Sequence, residues 1–118
     1  MPRDWMMFLD DMIACCERLR EYRACTTRAE FDRRAMAFDA IVRNVEVLGE
    51  AAVRLPESVR DQLPAVPWVA IIGMRHRLAH AYFGIDPDIL WDVVDIEVPL
   101  LHKELLAYRA KVSSGDDK

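Results

Sequence analysis

The chain has 118 residues, of which 53 % are hydrophobic and 31 % charged, and its formal net charge is −4. That length fits one domain whose core needs no staples, and that hydrophobic share excludes a largely disordered chain. The acidic balance excludes a protein that coats nucleic acid electrostatically, so any nucleic-acid site has to gather its positive charge locally.

The N-terminal stretch "MPRDWMMFLDD" is interrupted by acids and lacks the apolar region of a secretory signal. A first helix is predicted over about Arg3 to Cys25. Trp5, Phe8, Met12, Cys15, Leu19 and Tyr22 recur there in alternating steps of three and four, one face of a helix. The adjacent Cys15 and Cys16 are poorly placed to bridge each other, and Cys25 leaves an odd count. Reduced thiols and a cytoplasmic location are therefore expected.

Thr27 with Glu30 three positions on is a capping-box pattern that opens a second helix. Phe31, Ala35, Phe38, Val42, Val45, Gly49 and Ala52 form one stripe, which predicts a single long helix ending near Leu55-Pro56. Its other face carries Asp39, Arg43, Glu46, Glu50 and Arg54. The connector "PESVRDQLPAVP" holds too much proline for a regular helix, with room for one turn near Ser58 to Leu63. Pro67 suits the first turn of a third helix, predicted to run to about Tyr82 with Gly84 as its C-terminal cap. Asp86-Pro87 then reads as an N-cap and first-turn proline opening a fourth helix through Leu90, Val94, Leu101, Leu105 and Tyr108. Pro99 should kink or split it. No stretch approaches the roughly 18 apolar residues of a membrane span. The pattern predicts an all-α, up-and-down four-helix-type bundle over residues 1–110 with a disordered tail over 111–118. Such a bundle leaves a face for a partner, most simply a second copy.

The third helix ends on "GMRHRLAHAYFGID", which places Arg75, His76, Arg77, His80 and Tyr82 after an apolar run. Arg75 shares the side of Trp68, Ile71 and Ile72, where an arginine needs a carboxylate, a helix C-terminus or a ligand's anion. Glu46 or Glu50 could supply the carboxylate and make Arg75 a staple. His80 could be a helix-end histidine favoured by the dipole. His76 and His80, at i and i+4, have the spacing of two metal ligands, without the glutamate or third ligand of a zinc motif. A further reading is metal-free RNA cleavage. An imidazole moves the protons of the 2′-hydroxyl and the leaving 5′-oxygen while a guanidinium holds the phosphate. Arg75 and His80 stand about 140° apart at roughly 100° per residue. They would converge if two such helices met across a two-fold axis.

"RNVEVLGEAA", "PWVAIIGMRHRLAHAYFGID" and the following "LW" closely resemble the HepT-like branch of the HEPN superfamily, over about Phe8 to Tyr108. The most specific part is the R-x4-H-x-Y motif, here Arg75, His80 and Tyr82. The resemblance implies an all-helical homodimer that acts without cofactor or metal as an endoribonuclease toxin of a two-gene toxin–antitoxin module. Arg75 and His80 would be its catalytic pair in a cleft at the dimer interface, leaving cyclic phosphate ends. It also implies a cognate minimal nucleotidyltransferase antitoxin that transfers AMP from ATP to Tyr82. The added phosphates would block RNA by bulk and charge. Arg43, Glu46 and Glu50 lie in the family's "R-N-x-E-x-x-G-E-A" stretch and are expected to line or buttress the cleft. The family usually has asparagine after the motif arginine, where this chain has His76; an imidazole can replace the amide's hydrogen bonds and adds a titratable group one turn from His80. The alternative is a non-catalytic HEPN module that binds a nucleotide or RNA, or serves as the transferase's regulatory subunit.

Overall fold

The structure is a computed structural model that describes residues 4–34, 36–80 and 86–113, apart from the side chains of residues 4, 75, 76, 79 and 80. Its helices are α1 (Asp4–Ala24), α2 (Arg28–Asp32), α3 (Met36–Arg54), α4 (Glu57–Arg60), α5 (Trp68–His80), α6 (Pro87–Asp92) and α7 (Val98–Ser113), with a π turn at Val93–Glu97 between the last two. No strand occurs among the described residues. The fold is the expected all-α bundle. Contacts run from α5 to α3, from α3 to α1, and from α1 to α7.

α1 runs antiparallel to both α3 and α7, as paired side chains show. Arg18 meets Asn44 while Arg54 lies over Phe8, so α1 and α3 oppose each other. Arg20 meets His102 while Arg109 meets Asp10, so α1 and α7 do too. The core is aliphatic and aromatic: Leu9, Met12, Cys15, Cys16 and Leu19 of α1 pack with Phe38, Ile41, Leu48 and Ala52 of α3 and with Leu101 and Leu105 of α7. Periodicity places Met12, Cys15 and Leu19 on that stripe, and all three are fully buried.

The single long helix expected from Thr27 to Leu55 is two helices. The capping box at its start forms as expected, with Thr27 Oγ1 accepting from the Glu30 amide and the Glu30 carboxylate accepting from the Thr27 amide. The helix then stops at Arg33, and Arg34 takes a left-handed φ of 55°. Aromatic packing accounts for the break. On one straight helix, positions 31 and 38 would lie about 10.5 Å apart along the axis, at roughly 1.5 Å per residue. Here the Phe31 and Phe38 rings are 4.9 Å apart, and the edge of Phe31 also meets Trp91 of α6 at 5.2 Å. Bending the chain buries Phe31 completely, which repays the lost helical turn.

The fourth helix does split, but ahead of Pro99 rather than at it. Proline has no N–H to give to residue 95 and its ring would strike that carbonyl. The Val98 amide instead reaches five residues back to the Val93 carbonyl, and the widened turn relieves the clash. Asp86 caps α6 by accepting from the Asp88 amide, with Pro87 in the first turn as expected. α7 runs on to Ser113 with Val112 buried, so the first three residues of the expected tail are helical. The Gly84 cap and residues 114–118 lie outside the described residues.

Candidate active site

α5 packs on α3, and its Ile71, Met74 and Leu78 meet the core, Leu78 buried and the others half-buried. A helix repeats its faces in steps of three and four. Positions 69, 73, 76 and 80 therefore share the side turned away from Leu78. Val69, on that side, is 89 % exposed, and a Cβ built on Gly73 would meet nothing within 4 Å. α5 thus holds positions 76 and 80, as positions on the backbone, along an open face with a glycine at its centre. Position 75 lies nearer the α3 side, in register with Trp68, Ile71 and Ile72, all half-buried. The side chains of Arg75, His76 and His80, and the whole of Tyr82, lie outside the described residues.

The Trp68 indole N–H, at the start of α5, donates to the carbonyls of Arg60 and Leu63 at 3.1 and 3.2 Å. This ties the helix to the proline-rich connector. Beyond the motif, α6 is fastened to α1 and α2 around Trp91. The Arg23 guanidinium lies 4.1 Å from the Trp91 ring centroid and its Nε donates to Asp95 at 2.9 Å. Arg28 pairs with Asp32 and Asp88, and those hydrogen bonds push its pKa above the ordinary arginine value. Sequence periodicity does not mark the pairing of Arg23 with Trp91 and Asp95 or of Arg28 with Asp88, because each joins residues far apart in the chain.

Arg43, Glu46 and Glu50 do come together. They line an open groove of about 410 Å³ with Phe8 and Asp11 of α1 and with Val47, Ala51 and Arg54 of α3. Arg43 and Glu46 form an ion pair at 3.2 Å, the exposed i, i+3 pairing of an ordinary helix surface. Among the described residues this groove joins α1 to α3 and takes no lining from α5.

The third histidine is structural. His102 is buried between α1 and α7, where the Arg20 guanidinium donates to its Nδ1 at 3.1 Å. That contact requires Nδ1 to be an acceptor, which places the ring hydrogen on Nε2, 3.7 Å from Glu17. Two of the three thiols are shielded by burial, and desolvation pushes Cys15 up, and Cys16 up to about 12; Cys25 is exposed. Among the described residues no group of three or more histidine, cysteine or acidic side chains could hold a metal ion. None of their helices is long and apolar enough to cross a membrane.

Comparison with known proteins agrees with the family resemblance. The family model described as ribonuclease HepT-like matches residues 12–107. A candidate RNase of Methanocaldococcus jannaschii is 35 % identical, over 87 % of this chain and 94 % of its own. A candidate RNase of Caldanaerobacter subterraneus subsp. tengcongensis is 35 % identical, over 83 % of this chain and 88 % of its own. A protein of Thermococcus cleftensis named probable ribonuclease HepT is 31 % identical, over 86 % of this chain and 92 % of its own. No solved structure matches significantly. A helical bundle of this topology, a model match across most of its length and relatives named as ribonucleases converge on one conclusion: the chain belongs to the HepT-like ribonuclease family.

Proposed function

We infer that this protein is a metal-independent endoribonuclease toxin that works as a homodimer joined along the outer side of α5. The observation that carries the reading is the open line of that helix. A valine almost wholly in water and a glycine with empty space around it share the side of positions 76 and 80. A second helix can approach closest where there is no side chain, and burying Val69 would favour the approach. Crossing there sets each chain's motif beside the other's.

In that shared cleft, an imidazole of His80 takes the proton of the RNA 2′-hydroxyl. The 2′-oxygen bonds to phosphorus, the bond to the 5′-oxygen breaks, and the departing oxygen receives a proton from the second imidazole. The products are a 2′,3′-cyclic phosphate and a 5′-hydroxyl end. Arg75 of each chain holds the phosphate and stabilises the charge that builds on it. His76 supplies a hydrogen bond at the cleft's edge. Arg43, Glu46 and Glu50 of α3 line or buttress the cleft. A partner nucleotidyltransferase silences the enzyme by transferring AMP from ATP to the Tyr82 hydroxyl, with release of pyrophosphate. The added phosphate charge then repels RNA.

The test is RNA cleavage by purified protein in EDTA, with Arg75→Ala and His80→Ala alongside. Cleavage leaving cyclic phosphate ends, lost by a factor of at least 100 in both folded variants, is the expected result. Cleavage unchanged in both variants overturns the assignment. Binding of RNA without cleavage points instead to a non-catalytic HEPN module. Intact mass after incubation with ATP and the partner transferase tests the regulation, since Tyr82→Phe should gain no AMP.

A further inference from the structure

On the side of the bundle where α5 begins, the connector and α7 leave an apolar slot. It is lined by Ala65, Val66 and Pro67 of the connector, Ile71 of α5, Val93 of the π turn, Val98, Leu100 and Leu101 of α7, and Leu48 of α3. Its volume is about 120 Å³. A cavity of roughly 150 Å³ accommodates benzene, so the slot suits one leucine, methionine or phenylalanine side chain. Leu100 of the lining is 59 % exposed, and Ile96, four positions before it in the chain, is 51 % exposed. Two carboxylates flank the slot. Glu97, the last residue of the π turn, and Glu104 of α7 both line it, seven positions and so about two helical turns apart. Lys103, next to Glu104 in the chain, is not part of the lining.

An apolar hole between two carboxylates selects its occupant by charge. RNA is excluded, because its phosphates would face Glu97 and Glu104. A second copy seated through the same face would set carboxylate against carboxylate, in a chain already at −4. A basic amphipathic helix meets both demands: one large apolar side chain fills the slot, and lysine or arginine about one turn to either side reaches the two acids. The π turn adds to the fit. Val93 and Glu97, the two ends of that turn, both line the slot, while Asp95 between them pairs with Arg23 of α1.

We propose that this slot is a docking site for a lysine- or arginine-flanked apolar helix of a partner protein. The site uses the α7 edge of the molecule and leaves the outer side of α5 free. Partner docking and RNA cleavage would then be separable functions of one small domain.

The probe is a synthetic helix-forming peptide with leucines at i, i+4 and i+7 and lysines around them, with a second peptide bearing glutamate for each lysine. Binding is followed by calorimetry and by methyl resonances of the protein. The lysine peptide should shift the methyl signals of Leu48, Ile71, Val93, Leu100 and Leu101. The double variant Glu97→Lys/Glu104→Lys should weaken it at least tenfold and should bind the glutamate peptide instead. Ala65→Phe fills the slot without removing a core side chain, and should weaken the lysine peptide tenfold with no change of charge. The proposal is overturned if the shifted signals lie elsewhere, if affinity is indifferent to the charge reversal, or if Ala65→Phe binds like the parent. It is also overturned if oligouridylate shifts the same methyl signals. A sedimenting mass that falls on charge reversal would make the face a self-contact and overturn it equally.

Discussion

Arg18 of α1 donates from Nε to the side-chain oxygen of Asn44 on α3 at 2.8 Å, while the Asn44 amide group donates to the Ala40 carbonyl at 2.9 Å. The bond crosses the main helix interface of the bundle and satisfies a buried polar side chain in the middle of an apolar helix. Arg18 also reaches the Cys15 sulfur at 3.3 Å. Removing Asn44 would leave these donors to water at a half-closed interface. Asn44→Ala should therefore cost about 1–2 kcal/mol. Urea denaturation would show a lower midpoint with an unchanged slope.

Phe31 is the wedge on which the break between α2 and α3 depends. Phe31→Ala should cost about 3–5 kcal/mol, since it removes a fully buried ring from between Phe38 and Trp91. Thermal unfolding of the variant should begin at a lower temperature. An unchanged transition would show that the break has another cause.

Gly73 separates folding from assembly. A side chain there meets nothing within one protomer, so Gly73→Leu should fold, and gain up to about 1 kcal/mol from better helix propensity. On the proposed dimer it places a leucine at the crossing. The dissociation constant by sedimentation should rise at least tenfold, with cleavage falling in step. A Gly73→Leu protein that stays dimeric and active would place the interface elsewhere.

Burial of Cys16 ties stability to alkaline pH. Its thiol moves from 9.0 to about 12 on folding, chiefly through desolvation. A raised folded pKa means that the native chain holds the proton more tightly than the unfolded chain. Its contribution is fully present below pH 9.0 and is lost as pH climbs toward about 12. Cys16→Val should flatten that part of the stability curve. In the parent, a thiol reagent at neutral pH should label exposed Cys25 at once and the buried pair only as the protein opens.

Local signals are legible in the chain wherever the physics is local. The Thr27–Glu30 capping box, the Asp86-Pro87 start, the α1 stripe and the proline-rich connector all depend on residues within a few turns of each other, and each is where it was expected. The R-x4-H-x-Y motif is legible for the same reason, since its residues lie within eight positions of one another. What depends on distant contacts is not. The chain holds an unbroken apolar stripe through Phe31 and Phe38, yet Trp91, sixty positions later, offers a better place for the Phe31 ring. Likewise, Arg43, Glu46 and Glu50 form a face on any helix, but only packing decides that Phe8 and Asp11 of α1 close a groove around them. Periodicity reports which side of a helix is apolar; it cannot say which helix will cover that side, because burial is settled by the summed fit of all elements. The open side of α5 and the acid-flanked slot beside α7 are therefore products of the tertiary structure alone.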